Sequence, residues 1–94
     1  MEIIKGKNQF FIGEDAEHAI AKITFIPEGD NLTIDHTLVD PSLKGQGVGQ
    51  KLVNKVVELA REENKKIIPV CPFAKKVLTG SEEYKDVLAE SIRS

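Results

Sequence analysis

Residues 43–53 read LKGQGVGQKLV, with glycine at 45, 47 and 49. From Val48 the apolar residues change to helical spacing, and Val48, Leu52, Val53, Val56, Val57 and Ala60 form one stripe that runs to about Glu63. A backbone without side chains is thus set at the head of an amphipathic helix, where the first N–H groups lack partners and the helix dipole is positive. Glycine admits left-handed dihedrals there and lets an anion approach the amides without meeting a Cβ. The same residues would also serve a plain strand-to-helix turn, and spacing alone leaves both readings open.

Working outward, EIIK (2–5), QFFI (9–12), AIAKITFI (19–26) and LTIDHTLV (32–39) are apolar or alternating runs divided by the turn sequences GKN, GED and PEGDN. They predict an antiparallel meander of four strands. Beyond the helix, NKK is a stop and IIPVC (67–71) has the length and β-branching of a buried strand. A strand–helix–strand unit closes right-handed onto one sheet, so this fifth strand is expected parallel to the fourth. PFAKKVL (72–78) predicts a helix of one to two turns, TGS a break, and EEYKDVLAESI (82–92) a last helix with acids in its first turn. The expected class is α/β in the α+β sense: a meander of about four strands, a central amphipathic helix, a parallel fifth strand and C-terminal helices, all in one domain over 1–94.

A chain of 94 residues has room for one core and none for a separate lobe around a substrate, so any site is shallow or shared. No apolar run approaches the roughly 20 residues that cross a bilayer, and no signal peptide opens the chain, so a cytoplasmic protein with no membrane partner is expected. The single Cys71, with His18 and His36 at no ligand spacing, predicts no metal. A net charge of -2 weighs against non-specific nucleic-acid binding, yet Lys44–Lys76 holds eight Lys or Arg against three Glu. That segment suits a small polyanion, or is simply a solvated helix face.

Two familiar phosphate loops are excluded. A P-loop needs Lys and Ser or Thr directly after its last glycine, where Gln50 and Lys51 stand. A dinucleotide fingerprint is GxGxxG in a chain of alternating strands and helices, whereas this is GxGxG after four meander strands. VDPSLKGQGVGQKLV instead resembles the coenzyme A loop of the GNAT superfamily of N-acetyltransferases, in which Arg or Gln is followed by two residues, Gly, one residue, and Gly or Ala. HTLV and IIPVCPFAKKVL look like the short single-domain group described as YjdJ-like (GNAT-like), and the resemblance covers roughly residues 16–90. It implies a minimal GNAT-like fold and an acetyl-CoA-dependent N-acetyltransferase with coenzyme A as cofactor and an unidentified amine as acceptor. The backbone of Thr37, Leu38 and Val39 would then meet the pantetheine arm. The amides of Lys44, Gly45, Gln46, Gly47, Val48, Gly49 and Gln50 would hold the pyrophosphate, with the thioester where the fourth and fifth strands splay. Lys44 in place of Arg or Gln keeps the charge and loses the planar fork. The meander also opens without the helices that larger members use to build an acceptor pocket, so a non-catalytic coenzyme A binding or interaction module is the alternative.

Cys71 ends a strand just before Pro72, a residue suited to the first position of a helix, and Lys75 follows on the next turn. Both features favour a thiolate, and relatives of the resembled type place a cysteine beside the coenzyme thiol, so Cys71 and Lys75 are expected at the cofactor and Cys71 is a candidate acetyl acceptor, with direct transfer to the amine as the other route; the plainer reading is buried filler. His36 alternates in phase with Leu32, Ile34 and Leu38, which predicts a packed core histidine. The resemblance implies a bulge near this point, which would re-aim His36 as a candidate base. Where many relatives carry a carboxylate, Leu38 stands. Tyr84 reads as a ring packed between helices, Phe10, Phe11 and Phe25 as core, and His18 as surface.

Overall fold

The computed structural model describes residues 2–15, 17–43 and 45–89. Five strands form one sheet in chain order: β1 (Ile4–Gly6), β2 (Gln9–Gly13), β3 (Ala19–Glu28), β4 (Asn31–Val39) and β5 (Lys66–Pro69). Successive strands from β1 to β4 are antiparallel, while β5 runs parallel to β4 from the pair Asn31–Lys66 to the pair Ile34–Pro69. The crossover is α1 (Val48–Glu62), entered through a 3-10 turn at Pro41–Leu43, and α2 (Pro72–Thr79) follows β5. The meander, the crossover helix and the parallel fifth strand are those the hydrophobic periods predict. Among the described residues no helix is long and apolar enough to cross a membrane.

One sheet face carries the core. Alternation sets Phe10, Ile23, Phe25, Leu32 and Ile34 on that face, and α1 lays Leu52, Val53, Val56 and Ala60 against it, each 0% exposed. Burying one such Leu or Val side chain stabilises the fold by about 1.5–3 kcal/mol. α1 stops where Asn64 takes φ 57, a left-handed geometry that asparagine tolerates, and the Lys65 N–H reaches back to the Ala60 carbonyl at 2.7 Å. The buried apolar residues of α1 and α2 all belong to this core, so no described helix covers the second face. Across that face Ile4, Phe11, Lys22 and Leu38 stand in one cross-strand row.

The chain after α2 departs from expectation. In place of a helix over 82–92, Glu82–Tyr84 makes a single 3-10 turn and the segment then extends along β5; residues 90–92 lie outside the described residues. The Ile67 N–H donates to the Val87 carbonyl at 2.5 Å and the Ala89 N–H to the Ile67 carbonyl at 3.1 Å, a parallel bridge between Ile67 and Leu88. The buried Ile67 would otherwise leave backbone groups unpaired at the sheet edge, a larger loss than the local helical pattern could recover. Arg61 secures the segment from α1, donating two bonds of 2.9 Å to the Asp86 carboxylate and one of 2.6 Å to the Glu83 carbonyl.

Leu52→Ala is expected to lower the unfolding free energy by about 2–5 kcal/mol in urea denaturation, out of a total on the order of 5–15 kcal/mol. Arg61→Ala, which breaks an exposed pair, is expected to cost about 1 kcal/mol. The reverse ranking would contradict a core built on the α1 stripe.

Candidate active site

The site begins with an extra residue in β4. Thr24 of β3 lies opposite His36 and Phe25 opposite Ile34, so Asp35 has no partner of its own. One inserted residue reverses the facing of every side chain after it. Leu32 and Ile34 are buried in the core, whereas His36 emerges on the uncovered face beside Asp35, whose carboxylate accepts a 2.5 Å hydrogen bond from the Thr24 hydroxyl. Leu38 follows His36 outward and is 42% exposed. The packed core histidine expected from strict alternation is therefore corrected: the bulge implied by the family resemblance is present and sends His36 to solvent.

The backbone groups obey the same reversal. The Ile34 carbonyl accepts from the N–H groups of Val70 (3.0 Å) and Cys71 (3.1 Å), the last links between β4 and the chain leaving β5. Pro72 then turns that chain into α2 while β4 continues to Val39, and a gap opens between them. The Thr37 N–H points across the gap to the Cys71 sulfur. Val39, two residues on, turns its backbone the same way, while Leu38 directs its own toward β3, opposite Lys22. Of the three residues expected to meet a pantetheine arm, Thr37 and Val39 thus present backbone to the gap and Leu38 presents none.

Cys71 is the N-cap of α2, with Pro72 in the first turn, as its sequence context predicts. Its half-buried thiol donates to the Thr37 hydroxyl at 3.5 Å. Burial is the largest single influence and favours the neutral thiol. The Thr37 hydroxyl and the N–H groups of Ala74, Phe73 and Thr37 together outweigh it and hold the thiol below its ordinary range. Lys75 is exposed and is not among the groups acting on the sulfur; backbone donors do the work assigned to its charge.

At the glycine ledge the three glycines divide into two kinds. Gly45 (φ 86) and Gly47 (φ 71) are left-handed, with nothing within 4 Å of where a Cβ would stand. Gly47 is the N-cap of α1 and offers no side-chain cap, so the helix opens with bare amides. The Gln46 N–H is taken by the Leu43 carbonyl at 3.2 Å, but those of Gly49 and Gln50 find no acceptor among the described residues. Gly49 is helical, and a Cβ there would meet the Phe73 ring at 2.7 Å. It lets α2 pass close to α1. Val48 sends its side chain into the core and has only backbone to offer. Lys44, the cation expected here, lies outside the described residues.

Beside the ledge is a cleft of about 560 Å³, lined by Gly45, by Gly47 to Gln50 and, across from them, by Phe73, Lys76, Val77 and Tyr84. Sequence reasoning expected Lys75 of α2 at the cofactor and missed Phe73, Lys76 and Val77, which line the cleft while Lys75 does not, although Phe73, Lys76, Val77 and Gly80 recur at the three- and four-residue spacing of one helix face. Tyr84 is buried as expected. Its hydroxyl donates to Asn54 Oδ1 at 2.6 Å, and burial holds the phenol above its usual range. Among the described residues no group of three or more His, Cys, Asp or Glu could hold a metal ion.

Residues 9–87 match the family model for the GCN5-related N-acetyltransferases. The chain belongs to that family. This acetyltransferase is 48% identical to a GCN5-like protein from Staphylococcus aureus, a candidate N-acetyltransferase by its description, over 94% of this chain and 87% of that one, with a TM-score of 0.80. Nourseothricin acetyltransferase is 25% identical over 65% of this chain and 38% of its own, with a TM-score of 0.55. The fold alone is shared with a Mycobacterium tuberculosis protein solved in complex with coenzyme A, 14% identical over 85% of this chain and 66% of that one, with a TM-score of 0.54. Among curated proteins nothing matches.

Labelling of Cys71 by iodoacetamide, followed against pH, is expected to titrate below the range of a free cysteine. A lowered pKa means more thiolate at a given pH, so Thr37→Val, which removes one stabilising donor, is expected to move the profile upward and slow labelling at neutral pH. An unchanged profile in the variant would remove the Thr37 hydroxyl from this account.

Proposed function

We propose that this acetyltransferase passes the acetyl group of acetyl-coenzyme A to an amine, on a small molecule or a protein, with Cys71 carrying the group between them. The observation behind this reading is what gathers at the end of β4: a ledge of uncapped amides, a gap edged by the backbone of Thr37 and Val39, and a thiol with a lowered pKa.

The donor set fits the coenzyme. A helix dipole at a surface contributes only about 0.3–1 kcal/mol, so a diphosphate needs several amides to converge, which the left-handed Gly45 and Gly47 permit. Lys44 would add charge to the same end. The Thr37 carbonyl and the Val39 N–H and carbonyl would meet the amides of the pantetheine arm, which would lie in the gap as an added strand. When bound, acetyl-coenzyme A supplies an acetyl group already activated as a thioester.

Cys71 attacks the carbonyl carbon as a thiolate: its carbon–sulfur bond forms as the bond to the coenzyme sulfur breaks, and the departing sulfur keeps the electron pair. The acceptor amine then displaces Cys71 from the acetyl group and gives up one proton. His36, whose ring is exposed on the face the helices leave bare, would take that proton, directly or through one water, from an amine that enters the gap from that face. No described element walls off this face, so the acceptor meets an open surface, and positioning supplies much of the rate.

Rapid quenching after incubation with acetyl-coenzyme A is expected to show one acetyl group on the peptide containing Cys71 by mass spectrometry, absent in Cys71→Ala. If no adduct forms while amine acetylation proceeds, transfer is direct and the cysteine route is rejected. His36→Ala is expected to leave Cys71 acetylation intact and to slow its discharge to an amine by about 10²-fold. A variant that discharges at the wild-type rate would eliminate His36 as the base.

A further inference from the structure

The cleft beside the glycine ledge extends along α2, past the ledge amides themselves. Of its described lining residues only one, Lys76, is charged. No ion pair or side-chain hydrogen bond holds that ammonium among the described residues. One turn earlier on the same helix face, Phe73 sets a ring that is 41% exposed against Gly49. Beyond Lys76 the lining continues to Ser81, whose hydroxyl accepts from the Glu83 N–H at 3.4 Å and keeps its own proton to donate.

A diphosphate on the ledge would therefore have a partly exposed aromatic ring beside it and, a helical turn further, an unpaired cation with a hydroxyl donor. That sequence of groups matches a nucleoside that carries a further phosphate: the base packs on the ring, and the phosphate meets the cation. We infer that Lys76 is the residue by which this acetyltransferase reads the additional phosphate on the ribose of its donor, with Phe73 as the surface for the base. The inference rests on the reading of the ledge as a diphosphate site given above. Helical phase decides between the neighbouring lysines, since Lys76 shares the face of Phe73 and Val77 while Lys75 is absent from the cleft lining.

Calorimetric titration of the full chain with coenzyme A, 3′-dephospho-coenzyme A and pantetheine tests this. The wild type is expected to bind coenzyme A roughly five-fold more tightly than the dephospho form at low salt, the scale of an exposed pair with a doubly charged partner, and the gap is expected to narrow as salt is added. Lys76→Met is expected to close the gap by weakening coenzyme A alone, with the unfolding midpoint unchanged, and Lys75→Met to preserve it. Equal affinities for the two nucleotides in the wild type, or a gap that survives Lys76→Met, would overturn the inference and leave the ledge intact. Coenzyme A binding no more tightly than pantetheine would instead remove the ledge reading on which it rests.

Discussion

A single unpaired residue in β4 governs the geometry of everything around the candidate site. Because Asp35 has no partner in β3, Thr37 and Val39 face the helices and the gap, and His36 and Leu38 face the uncovered side. Without the bulge His36 would compete with the core for space and Thr37 would lose contact with Cys71. The same irregularity coincides with the end of β4–β5 pairing at Ile34, so the strand continues with backbone groups that no neighbouring strand takes up. A sheet that leaves such groups near the surface invites an extended ligand to complete it.

The second constraint is the meeting of two helix N-termini with different chemistries. α1 begins after left-handed glycines with no side-chain cap, and its amides are open to an anion. α2 begins with Cys71 as its N-cap, and its first amides turn toward the sulfur. Gly49 joins the two, since the close passage of Phe73 depends on the missing Cβ. Two glycines thus serve backbone handedness and the third serves packing, a division that equal spacing in the sequence conceals.

Membership of the GCN5-related family agrees with this construction in a chain whose described part is a single sheet with helices on one face. The outer edge of β5, bare at Ile67, is closed by the extended segment around Leu88 and tied down through Arg61 and Asp86. The chain is thereby used as edge cover where its local pattern favoured a helix. The uncovered face retains Phe11, Leu38 and the adjacent Asp35 and His36, and the proposed acceptor would arrive on that side.

Much of the fold was legible in the amino-acid order because hydrophobic period reports local geometry directly. The alternating runs became the meander, the stripe from Val48 to Ala60 became α1, and Pro72 marked the start of α2 with Cys71 at its cap. The glycine ledge could be placed at the head of α1 for the same reason, since helix ends and left-handed turns are properties of a few adjacent residues. The facing of His36 and the extended course of residues 87–89 were decided by partners distant in the chain. A bulge exists only relative to the strand across from it, and an edge needs cover only once the sheet is assembled. Those outcomes therefore belong to tertiary structure, in which pairing unsatisfied backbone and filling the core outweigh the preferences of any short segment.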